Sequence, residues 1–185
     1  MKRLRESQPA LGIGVFTLLD RVRLDLSDEV TILGCTLWSN IPSASVEAVG
    51  KGMNDFKQVR SWTVEDHNAE HAADVEWLTQ QLNDIQAQEP ARRVIVLTHH
   101  APVIDGAIGP RHQKSAVTSA YATDLTVKPG VWRPGLVRIW AFGHTHFPCD
   151  FVRDGIRLIS NPRGYEASET KGTCSKFRDD FVITV

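Results

Sequence analysis

Two short apolar runs, each closing on a cluster of histidines, constrain this chain more than anything else in it. Residues 94–97 read Val-Ile-Val-Leu and lead into Thr98-His99-His100-Ala101-Pro102. Residues 137–142 read Val-Arg-Ile-Trp-Ala-Phe and lead into Gly143-His144-Thr145-His146. Runs that stay largely apolar, rather than alternating with polar residues, mark strands buried on both faces. Such strands belong to α/β folds, where ligands and reacting groups gather outside the carboxyl ends of the strands. Both clusters have that address. A single loop histidine is usually just paired or surface-exposed. Here four of the seven histidines stand at two strand ends, and that concentration argues for a shared site.

Around these runs the pattern fills in an α/β domain. Thr63-Val64-Glu65-Asp66 has the spacing of a capping box, a hydroxyl followed three residues on by a carboxylate. His67, His71, Val75, Leu78, Leu82 and Ile85 then recur at steps of three and four, so one face of a helix over 63–88 collects them. Pro90 ends it. The same face leaves Glu76, Gln80 and Asp84 on the wet side. Further strands are expected at 15–19, 30–33, 157–160 and 181–185. The stretch 101–134, rich in Gly, Pro, Ser and Thr, is longer than an ordinary loop and is expected to carry function or small elements of its own.

Composition narrows the function classes. At 185 residues and a net charge of -1, with 23% charged residues, the chain has one domain's worth of core and no global charge for a nucleic-acid or membrane partner. No apolar run approaches the ~20 residues that span a bilayer. Cys35, Cys149 and Cys174 are scattered, odd in number and form no Cys-x-x-Cys pair, so neither a disulfide framework nor a cysteine zinc site is expected. A reducing, cytoplasmic setting follows. Lys2, Arg3 and Arg5 precede an apolar run over 11–19, but Glu6, Ser7 and Gln8 interrupt the approach and Asp20-Arg21 closes it without a small-residue cleavage site, so no secretory leader is expected. The division read from this is a polar tail over 1–10 and a single domain over 11–185.

His144 and His146 stand two apart, so an extended backbone would aim both rings to one face, and Gly143 would permit a turn beside them. Converging imidazoles suit a borderline divalent ion such as zinc, manganese or iron. The pair of strings, Thr98-His99-His100-Ala101-Pro102 and Trp140-Ala141-Phe142-Gly143-His144-Thr145-His146, resembles the last two motifs of the calcineurin-like metallophosphoesterases, fungal members in particular. Residues 32–39, Ile-Leu-Gly-Cys-Thr-Leu-Trp-Ser, and 160–165, Ser-Asn-Pro-Arg-Gly-Tyr, also look like segments of that family. The resemblance implies a sandwich of two mixed β-sheets flanked by helices and two divalent ions of manganese, iron or zinc. It implies His99 and His144 on one ion and His146 on the other, and His100 beside the site, orienting a ligand or touching phosphate. Asn161 and Arg163 become candidates for substrate contact. The implied chemistry is hydrolysis of phosphate esters, two metals clamping the phosphate and lowering the pKa of a bound water.

The chain also departs from the family. It contains no Asp-x-His, no Gly-Asp-x-x-Asp and no Gly-Asn-His-Glu or Gly-Asn-His-Asp. The bridging carboxylate, the Asn ligand and one further histidine are therefore missing, and the expectation is a partial domain lacking an N-terminal βαβ half, with weak or no turnover on its own. A binding or regulatory remnant of the same fold is the alternative. A third reading comes from His67-Asn68-Ala69-Glu70-His71, which matches the H-x-x-E-H pattern of inverted zinc peptidases. Against it, both histidines continue the apolar stripe of the helix.

Overall fold

The computed structural model describes residues 17–164, 174 and 176–185. In chain order the elements are β1 (Val22–Asp25), β2 (Val30–Cys35), α1 (Val46–Gly52), α2 (Asp55–Gln58), α3 (Val64–Gln88), β3 (Arg93–Thr98), β4 (Val137–Ala141), β5 (Cys149–Arg153) and β6 (Ile156–Ser160). Short 3-10 turns occupy Ser43–Ser45 and Thr118–Ala120. The described strands form one mixed sheet in the order β1-β2-β3-β4-β6-β5. Its central ladder β2-β3-β4-β6 is parallel, and the edges β1 and β5 are antiparallel to their neighbours. The chain is therefore α/β. Parallel strands put the carboxyl ends of β2, β3 and β4 side by side, and this topology brings distant histidines to one edge.

The helix α3 forms as its sequence dictates. Thr63 caps it, its hydroxyl accepting the Asp66 amide at 3.1 Å while the Asp66 carboxylate accepts the Thr63 amide at 3.1 Å. Leu78, Leu82 and Ile85 are fully buried and join the main core with Leu33, Val96 and Trp140. Each such side chain contributes about 1.5–3 kcal/mol of transfer free energy. Glu76 and Gln80 are exposed, Asp84 is half-exposed, and Gln80 donates to Asp84 at 2.8 Å. The buried face also carries His67, His71 and an acid, Asp74, that the apolar stripe did not announce.

The second face of the sheet holds Ile95, Ile139 and Ile159, with Phe181 and Ile183 packed on them. Residues 181–185 were expected as a strand. They run irregularly instead, and Phe181 and Ile183 serve as a cover rather than a rung. Residues 17–19 do not form the expected strand either, and Val15 and Phe16 lie outside the described residues, as do the tail over 1–10 and Tyr165. Leu19 lies directly against Gly34 of β2, where an added Cβ would stand 2.5 Å from the Leu19 Cβ. The edge strands β1 and β5 escaped the sequence pattern because charged residues interrupt them: Arg23 and Asp25 in one, Asp150 and Arg153 in the other. Among the described residues no helix is long and apolar enough to cross a membrane.

Candidate metal centre

Three strand ends are stitched together by backbone hydrogen bonds. The carbonyl of Thr36, just past β2, accepts the amides of both His99 and His100, at 3.2 and 3.1 Å. The His99 carbonyl accepts the amide of Gly143, just past β4, at 3.0 Å. Thr98 fixes the turn between its neighbours: its hydroxyl donates to the His100 carbonyl at 2.8 Å and accepts the Trp140 indole N–H at 3.0 Å. The two histidine clusters are thus held in register by the same sheet that orders the core.

The expectation that residues 143–146 continue an extended strand is not met. β4 ends at Ala141, and His144 and His146 adopt left-handed backbone conformations with φ of 58° and 49°. Non-glycine residues seldom enter that region, and strain of this kind gathers at functional sites. Gly143 takes no positive φ, and a Cβ there would meet His99 only at ordinary contact distance, 3.7 Å. The turn is made by the histidines themselves.

The rings converge. The His99 Nε2 and His144 Nδ1 atoms are 2.9 Å apart, and the His100 ring stacks on His144 with centroids 4.0 Å apart. Among the described residues, His99, His100 and His144 form a group whose donor atoms all lie within 4.8 Å of one another. His100 is fully buried, and neither of its ring nitrogens has a hydrogen-bond partner. Buried polar atoms are ordinarily paired, so orphans of this kind call for a missing partner. His146 lines the same cleft, outside the trio.

Burial favours the neutral form of these imidazoles. Burial pushes His144 down to about 3, with the neighbouring His99 adding to the shift. His100 is held well below the ordinary range, again first by burial and then by His144 and His99. His99 is the most open residue of the three, yet its ring sits among the others. Desolvation lowers its pKa, the Asp55 carboxylate opposes this, and His146 reinforces it.

His99 and His144 open on a cleft of about 440 Å³, while the buried His100 lies outside its lining. Its far wall is Met53, Asn54 and Asp55 from the α1–α2 junction, and its side is Ile108, His112, Tyr121 and Phe147. Asp55 is the one carboxylate among these lining residues, and no Lys or Arg is among them. Sequence reasoning missed this wall because nothing local marks residues 53–55 as neighbours of strand ends more than forty residues away. Asn161 and Arg163 do not line the cleft. The Asn161 amide is occupied at both ends by the Arg178 backbone, donating at 2.7 Å and accepting at 3.0 Å, which ties down the segment carrying Phe181. Arg163 is exposed just past β6.

The peptidase geometry is absent. The His71 Nδ1 donates to the Leu37 carbonyl at 2.9 Å, and the His67 Nε2 accepts the Ser39 amide at 3.2 Å. Glu70 pairs with Arg21 instead of facing a shared ion.

A mimivirus protein, "Uncharacterized protein L509" of Acanthamoeba polyphaga mimivirus, is 27% identical over 152 residues, covering 75% of this chain and 51% of its own length. The chain spans about half the length of this relative. No protein-family profile matches the chain, and no solved structure matches it significantly.

Proposed function

We propose that this chain is the histidine-bearing part of a calcineurin-like metallophosphoesterase, a metal-dependent hydrolase of phosphate esters. The observation that carries the reading is the meeting of His99, His100 and His144 at neighbouring strand ends with buried ring nitrogens left unpaired. The two-sheet sandwich of that family belongs to the same proposal.

The donor set fits one ion. Three neutral imidazoles suit zinc, manganese or iron. The 2.9 Å between His99 and His144 is a little short of the about 3.3 Å that two nitrogens on one tetrahedral zinc keep, so a small opening of the pair would admit it. A bound ion would supply Lewis acidity toward a phosphate oxygen. The chain's own contribution is to hold His99 and His144 as ligands, with His100 or His146 beside them, and to place Asp55, Asn54, His112 and Tyr121 around the ester. A second ion lacks support: two divalent cations about 4 Å apart repel by roughly 4 kcal/mol even at bulk-water dielectric, and among the described residues no carboxylate joins the trio to bridge them. Phosphate turnover by these residues alone is therefore expected to be slow or absent.

One observation favours a second reading, a metal-binding module without catalysis: among the described residues the cleft lining offers no Lys or Arg to clamp a phosphate. Titration calorimetry with zinc or manganese, followed by inorganic phosphate, separates the two. One ion per chain, phosphate binding only after the ion, and loss of both in His144→Ala are expected of the hydrolase reading. An ion without phosphate leaves the module. Absence of saturable metal binding defeats both.

A further inference from the structure

The match to a peptidase motif at the start of α3 has a different use. Residues 37–41 run from the end of β2 across the top of α3, and the helix grips them at three points. The His71 Nδ1 donates to the Leu37 carbonyl at 2.9 Å. The His67 Nε2 accepts from the Ser39 amide at 3.2 Å and bonds the Ser39 hydroxyl at 3.0 Å. Asn68 makes a two-way amide pair with Ile41, its Oδ1 accepting the amide at 2.8 Å and its Nδ2 donating to the carbonyl at 2.9 Å.

What these bonds hold is strained. Leu37 and Trp38 take consecutive left-handed conformations, with φ of 68° and 33°. Two non-glycine residues in that region persist only where the surroundings over-determine them. The strained turn has a consequence for the metal centre. It begins one residue after Thr36, whose carbonyl takes the amides of both His99 and His100. It presents the Trp38 ring to His100, with centroids 5.5 Å apart, while the His67 ring faces His100 edge-on at 5.6 Å. His100 is thereby confined between Trp38 and His67 on one side and His144 on the other.

We infer that His67, Asn68 and His71 are positioning residues, which clamp the Leu37–Trp38 turn so that His100 is seated, shielded from water, against His144. The clamp rests on the metal-centre reading for its purpose but not for its geometry. The tautomers follow from the partners: a carbonyl can only accept, so His71 carries its proton on Nδ1, and His67, accepting from a peptide N–H on Nε2, carries its own on the opposite nitrogen. The Asn68–Ile41 pair closes the far end of the segment.

The test uses two readouts on the 185-residue chain. The first is carbethoxylation of individual histidines by diethyl pyrocarbonate, followed by peptide mass spectrometry without metal. His100 of the native chain should be protected while His99 reacts. In Asn68→Ala and His67→Leu, with far-ultraviolet dichroism unchanged, His100 should react about tenfold faster or more, as local opening of the turn exposes it. His67→Gln, which restores an acceptor near the Nε2 position, should recover protection. Ile85→Val, a core change in the same helix remote from the turn, should leave His100 protected. The second readout is cobalt(II) affinity with its visible spectrum, expected to weaken about 10–100-fold in Asn68→Ala, as for groups that orient ligands. If His100 stays protected in both Asn68→Ala and His67→Leu, the clamp is wrong. If the native chain binds no cobalt while the modification rates behave as stated, the metal reading falls and the clamp stands.

Discussion

Two sets of histidines lie within one ring's width of each other and differ in what their ring nitrogens meet. On α3, His67 and His71 each give one ring nitrogen to the backbone of residues 37–39 and leave the other buried and unpaired. At the ends of β3 and β4, His99, His100 and His144 address one another, and the ring nitrogens of His100 have no partner at all. Burial depresses the pKa in both sets, so burial alone does not tell a structural imidazole from a ligand. The partner does. A nitrogen committed to a peptide group holds the fold, whereas one left bare beside two others is available to an ion.

The largest effect expected on the helix side comes from its apolar anchor. Leu82 is fully buried, and Leu82→Ala should cost about 2–5 kcal/mol in urea unfolding. Metal affinity measured well below the unfolding midpoint should hardly change. A loss under about 0.5 kcal/mol would mean that the stripe is not core.

On the strand-end side, His144→Ala should weaken zinc or cobalt binding by about a hundredfold, near 2.8 kcal/mol, while the metal-free chain stays folded. His71→Leu, by loosening the turn that seats His100, should weaken binding less, about tenfold; a loss as large as that of His144→Ala with the fold intact would erase the distinction between the two sets. His71→Leu should also show up in stability: it strands the Leu37 carbonyl and should cost about 1–3 kcal/mol.

The acid limb gives a subtler check. His67 and His144 have folded pKa values near 4 and near 3, against an ordinary 6.5. Between those values the unfolded chain binds more protons than the folded one, so stability is full above pH 6.5 and is lost as pH falls toward 3. Asp74, whose carboxyl is raised chiefly by burial, works the other way and softens the slope. Urea midpoints that stay flat from pH 6.5 to 4 would contradict the buried neutral rings. Saturating zinc should raise the midpoint near neutrality and lose this effect across the same window, because protons and metal compete for one lone pair.

The smallest effect is expected at Asp55, which lies across the cleft from the trio and outside it. Asp55→Asn should reduce metal affinity only about two- to threefold, the size of a partly screened charge effect. A loss as large as that of His144→Ala would make this carboxylate a ligand.

Much of this chain is local, and what is local was legible in the sequence. The apolar runs over 94–97 and 137–142 are strands because β-branched and aromatic side chains fit a pleated, buried surface. Thr63 starts α3 because a hydroxyl and a carboxylate three residues apart satisfy amides that no helix can satisfy itself. The placement of His99, His100 and His144 after their strands followed directly. Edge strands with alternating charges left no such mark, and neither did the irregular cover of Phe181 and Ile183.

Pairings across long sequence separations were decided by tertiary structure alone. His99 meets His144 across 45 residues, and His67 meets Ser39 across 28. No spacing rule distinguishes an imidazole that will find a peptide group from one that will find another imidazole, since both follow apolar patterns. The distinction arises when parallel pairing sets the ends of β2, β3 and β4 side by side, and the packing of α3 beneath residues 37–41 fixes which nitrogens are consumed and which remain. A hydrogen bond is a short-range, directional contact, and only the folded chain fixes its partners.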